Sequence, residues 1–128
     1  MPFTNEPSLN EQHFNEMRKK VAEALVLYAD RFSNPVDVAQ MPDHRLPASY
    51  SDASDALRKI GSELIAEAEV LDGDYPISRE SLHEAGRNFI GLSNSMSTPY
   101  GQGLSKEQMI STRMFVNTIR EIFSLSKR

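Results

Sequence analysis

Residues 51–71 read SDASDALRKIGSELIAEAEVL. Ala53, Leu57, Ile60, Leu64, Ala68 and Leu71 recur at spacings of four, three, four, four and three, which lines them along one face of an α-helix. Arg58, Lys59, Glu63, Glu67 and Glu69 fall on or beside the opposite face. A single amphipathic helix is marginal in water, so this apolar stripe needs partners. Segments on both sides supply them, and the expected fold is all-α: a small antiparallel four-helix bundle with a long, proline-containing loop between helices 1 and 2.

Working toward the N-terminus, residues 33–50 form that loop, because Pro35, Pro42 and Pro47 forbid one continuous helix. Val36, Val38, Met41, Leu46 and Tyr50 make it too apolar for a free linker. It is expected to wrap an open edge of the bundle, with one helical turn near residues 37–40. Before it, residues 9–32 read as helix 1. Their stripe is Phe14, Met17, Val21, Leu25, Tyr28 and Phe32, widened by Leu9, Val26 and Leu27. Ser8-Leu9-Asn10-Glu11 has the form of a capping box, preceded by a loose leader over residues 1–7.

Working toward the C-terminus, Asp72-Gly73-Asp74-Tyr75-Pro76 reads as a sharp turn, with Gly73 suited to a left-handed helix end. Ser78 is placed to cap helix 3 over residues 79–96, with its stripe at Leu82, Ala85, Phe89, Leu92 and Met96. Gly86 and Gly91 each cost about 1 kcal/mol relative to alanine in a helix interior. Close approach of a neighbour explains them, with Gly61 as the facing residue. The alternative is a polar pocket lined by Ser93, Asn94 and Ser95. A breaker run over residues 97–103 precedes helix 4, residues 106–125, opened by a second capping box at Ser105. Met109, Thr112, Val116, Ile119 and Phe123 form its stripe, with Ile110 and Met114 to the side.

A chain of 128 residues is most simply one domain, large enough to bury a core without metal or disulfide. It has no cysteine, which removes disulfides, thiolate metal sites and thiol catalysis. The longest apolar run, residues 24–29, is far short of the ~20 residues that span a bilayer. No secretion signal opens the chain, and a cytoplasmic location is expected.

Net charge is −4, which disfavours direct nucleic-acid binding. Residues 51–84 alone carry nine acidic against three basic side chains. Catalytic motifs fail individually. Glu80-x-x-His83 lacks the second such pair that a di-iron bundle requires. Asp72-x-Asp74 begins like a calcium loop but has Ile77 where glycine is needed. His13, His44 and His83 are 31 and 39 residues apart. No cofactor and no metal are expected, and an enzymatic role is disfavoured.

The function these observations favour is a regulatory or protein–protein interaction module presenting an acidic or apolar helical face. The acidic candidates are Glu63, Glu67, Asp72 and Asp74, facing a basic protein partner. The apolar candidates are Ile110 and Met114, facing another protein or a second copy of the chain. One alternative is an acidic inhibitor of a nucleic-acid-handling machine, acting by electrostatic mimicry. Another is an enzyme or ligand-binding bundle using the loop at Asp43-His44-Arg45, where His44 and Arg45 would share a pocket with Arg87 and Asn88.

Overall fold

The computed structural model describes residues 9–71, 73–98 and 106–125, except the side chains of Ala39, Ser97, Thr98, Lys106 and Glu107. The described chain is helical: α1 (Leu9–Leu27), α2 (Ala29–Phe32), α3 (Ala48–Val70), α4 (Arg79–Asn94) and α5 (Lys106–Ile122), with 3-10 turns at Val38–Gln40 and Pro42–His44. The leader, both capping-box serines Ser8 and Ser105, and most of the breaker run before α5 lie outside the described residues.

The helix ends follow local chemistry. Ser78 Oγ accepts the amide of Ser81 at 3.1 Å, capping α4 as its position implied. The central helix α3 starts one turn earlier than the apolar rhythm suggested. Pro47 stands in its N-cap position, and its carbonyl accepts the amides of Tyr50 and Ser51 at 2.9 Å each. Its C-terminus corrects the expected glycine stop. Leu71 turns to extended backbone (φ −72°, ψ 147°), and Gly73 has no left-handed φ. The single long first helix is also corrected. It breaks at Tyr28 (φ −105°, ψ 5°), and the short α2 carries Phe32 into the core. Neither glycine nor proline marks that break.

The core matches the stripes of the later helices. Leu57, Leu64 and Ala68 of α3 are buried, as are Leu82, Ala85, Phe89 and Leu92 of α4 and Ile119 of α5. Full burial of a side chain such as Phe89 stabilises the fold by about 1.5–3 kcal/mol. Helix α1 contributes less than its composition suggested. Val21, Ala24 and Leu25 are buried, but Leu9, Val26 and Leu27 are 82%, 78% and 60% exposed. Met109, expected in the α5 stripe, is 44% exposed.

Close backbone approach occurs between α3 and α4 and between α4 and α5. A Cβ on Gly61 would sit 2.7 Å from the carbonyl oxygen of Gly86, and one on Gly86 would sit 2.6 Å from that of Gly61. The two backbones therefore touch, and only glycine fits at either position. Along the same seam, Ser93 Oγ donates to the Ser54 carbonyl (2.9 Å) and Ser54 Oγ to the Ser93 carbonyl (3.2 Å). Arg58 donates to Asn94 Oδ1 at 2.7 Å. Gly91 serves the next interface, where a Cβ would meet the Phe115 ring at 2.7 Å. Helix α1 docks instead through long side chains. Phe14 stacks on Phe123 at 5.7 Å, and Arg18 donates to the carbonyls of Phe123 (2.7 Å) and Ser124 (2.9 Å).

The long loop is tied down at its start. Val36–Asp37 pairs in parallel with Ser97–Thr98, and the Val36 amide donates to the Met96 carbonyl at 3.1 Å. Tyr50 Oη donates to the Asn34 carbonyl at 2.7 Å. Asp43 and His44 both adopt left-handed φ values of 57° and 52°. Aspartate and histidine tolerate that region better than most side chains. Among the described residues no helix is long and apolar enough to cross a membrane.

Candidate functional site

Helix α3 has two flanks, and its charged side chains are divided between them. The small-residue flank faces α4. Ala56, Ile60, Glu63 and Glu67 form another edge at helical spacing, and this edge faces α1. Lys20 Nζ donates to Glu63 Oε2 at 2.7 Å, and His13 Nε2 lies 3.1 Å from Glu67 Oε2. Glu67 keeps only 22% of its side chain exposed. The expected wet face is therefore partly an interhelical edge, and the two best-placed acidic candidates each carry a cationic or imidazole partner. Asp74 is exposed in the turn, and Asp72 lies outside the described residues.

The α1–α3 interface is under-filled. One hollow of about 270 Å³ has an apolar floor of Met17, Val21, Ile60 and Leu64. A second, of about 250 Å³, is floored by Ala24, Tyr28, Ala56 and Ile60, with Leu27 on its wall. Lys20, Ile60 and Glu63 line both, so the ion pair bridges one groove between α1 and α3. A smaller hollow of about 170 Å³ lies where Phe32 and Pro35 approach Met109 and Thr112 of α5. The Thr112 hydroxyl is buried there without a hydrogen-bond partner.

Ile110 and Met114 are 49% and 62% exposed, one turn apart on the outer side of α5. Asn117 and Glu121, also exposed, continue that line. The loop candidates are not brought together with those of α4. His44 and Arg45 are exposed on the loop. Arg87 lies 3.4 Å from His83 Nδ1, and Asn88 Nδ2 donates to the Glu84 carbonyl of its own helix at 2.7 Å. Among the described residues no hydrogen bond or ion pair joins the two sets. The polar-pocket alternative for Ser93, Asn94 and Ser95 gives way to bonding between and within helices. Ser93 and Asn94 bond to α3, and Ser95 Oγ donates to the Gly91 carbonyl at 2.8 Å. No group of three or more acidic or histidine side chains among the described residues could hold a metal ion.

Sequence reasoning missed Tyr75, which it treated as part of a turn. The ring is 9% exposed, packs edge-on against Phe14 at 5.8 Å, and its hydroxyl donates to Met17 Sδ at 3.8 Å. Burial, with a smaller contribution from the Glu67 carboxylate, pushes its phenol up to about 12. The available signal was a large aromatic wedged between turn-forming residues, where solvation alone would select a polar side chain. Comparison with protein-family models, curated sequences and solved structures returned no match to this chain.

Proposed function

We propose that this chain is a non-enzymatic helical interaction module that docks another protein through the outer edge of α5. The observation that carries this reading is the solvent exposure of Ile110 and Met114 on successive turns, beside the partly exposed Met109. Methionine-bearing apolar surfaces adapt to partner side chains and are favoured at binding faces. We infer alongside it that the four long helices form an antiparallel bundle. Its support is the reversed order of contacts, with Ser54 meeting Ser93 while Glu69 meets His83 at 3.1 Å. A cytoplasmic setting suits a cysteine-free module of this kind.

The mimicry alternative draws less support, because Glu63, Glu67 and Glu69 are each engaged by Lys20, His13 or His83. The enzyme alternative lacks convergence of His44 and Arg45 with Arg87 and Asn88. A photo-reactive side chain introduced at position 114, compared with one at exposed Ser62, tests the docking reading in cells of the source. Adducts at 114 that disappear in an Ile110→Lys background support it, and their mass distinguishes a second copy from a different protein. Equal labelling at 114 and 62 overturns it.

A further inference from the structure

We propose that the groove between α1 and α3 binds an extended apolar peptide of about four residues. Its free amine sits at the Glu16 end and its free carboxylate at the Lys59 end. The inference goes beyond the α5 surface and stands or falls without it.

The groove is open because the scaffold is tight elsewhere. Glycine contacts fix α4 against α3 and α5, whereas α1 is held by side chains and leaves two hollows of about 270 and 250 Å³. Their floors are apolar, and Leu27, 60% exposed, stands on the wall of the second one. An exposed leucine beside a hollow is covered when a ligand occupies it.

Charge sets the direction. Other polar groups of the rim are matched within the fold: Lys20 meets Glu63, His13 meets Glu67, and Glu23 lies 4.0 Å from Lys19. Two exposed groups have no such partner among the described residues. Glu16 lines only the first hollow and Lys59 only the second. The groove thus presents an unmatched carboxylate at one end and an unmatched ammonium at the other, with apolar surface between.

Length follows from helix geometry. A rise of ~1.5 Å per residue along α1 puts the Glu16 level and the Lys59 level roughly 10–16 Å apart. An extended chain advances ~3.5 Å per residue, so about four residues span the distance. The Lys20–Glu63 pair crosses the middle. Both side chains are more than a third exposed, so the pair is weak and opens readily. Once open, the Glu63 carboxylate accepts a ligand amide N–H and the Lys20 ammonium donates to a ligand carbonyl.

The test titrates the full chain, labelled for amide NMR, with the tetrapeptide Ala-Leu-Val-Ala bearing free ends, its N-acetylated form and its C-amidated form. Saturable shifts at Ala24, Ile60 and Leu64 are expected at millimolar peptide. Blocking either end should weaken binding about two- to fivefold, the range an exposed ion pair supplies. Glu16→Gln should abolish the sensitivity to acetylation, and Lys59→Gln the sensitivity to amidation. Both are surface changes, and an unchanged helical circular-dichroism spectrum verifies the fold. The proposal is overturned by no saturable shift in the millimolar range, by shifts centred on Ile110 and Met114, or by groove binding indifferent to both blocked ends.

Discussion

The two flanks of α3 are built on opposite plans. Toward α4, Gly61 and Gly86 let the main chains touch, and reciprocal serine hydrogen bonds close the seam. Toward α1, charged side chains reach across hollows with the ion pair Lys20–Glu63 as the bridge. The first plan gives dispersion contacts at full packing density and tolerates no added atom. The second gives weak, solvent-screened contacts and leaves room. One helix can therefore be both the rigid centre of a domain and the wall of an adjustable groove.

The largest effect should come from emptying the tight side. Phe89→Ala, at a fully buried position, is expected to cost about 3–5 kcal/mol in urea unfolding. A value below 1 kcal/mol would remove the distinction between the flanks.

Next comes Tyr75, a buried aromatic anchor beneath α1. Its folded phenol titrates near 12 against 10.0 for the unfolded chain. Below pH 10 both states keep the proton. Between pH 10 and 12 the unfolded chain loses it first, so stability falls as pH rises. The loss should reach about 2–3 kcal/mol and be absent from Tyr75→Phe, as read from unfolding free energies across that interval.

Glycine replacements sharpen the comparison further. Gly86→Ala forces a Cβ against the Gly61 carbonyl and Ile65, and should cost about 1–3 kcal/mol even after the gain in helix propensity. Gly91→Ala meets only the Phe115 ring, which can rotate away, so its thermal midpoint should stay near that of the parent. Smallest of all, Glu63→Ala on the open flank should change stability by less than about 1 kcal/mol in the same urea assay.

Much of the tight flank was legible because its signals are local. The four-and-three rhythm of Leu57, Leu64, Leu82 and Phe89 identifies buried faces, and a glycine pair inside helices demands a neighbour at close range. Ser78 announced the start of α4 by its position alone. The open flank was not legible in the same way. Glu63 and Glu67 lie beside Ile60 in a pattern that a solvated edge also produces, and only the placement of α1 decides between them. Val26 and Leu27 count as apolar in any periodicity, yet burial depends on what stands opposite. The pairing of Val36–Asp37 with Ser97–Thr98 joins segments separated by a long stretch of chain, and no local preference encodes it. The groove itself arises from a misfit between two helices, so no residue pattern announces it. The candidate sets separate for the same reason. His44 and Arg45 were grouped with Arg87 and Asn88 by chemical type, whereas the fold gives Arg87 and Asn88 neighbours within α4.

The Gly61–Gly86 contact also bears on the order of assembly. Helices α3 and α4 are joined by a short turn, so their meeting closes a small loop at little entropic cost. Arg18 reaches Phe123 across 105 positions of sequence. The α3–α4 pair should therefore nucleate folding, with α1 arriving afterwards. Substitutions at Gly86 should then slow refolding, and those at Lys20 should act mainly on the rate of unfolding.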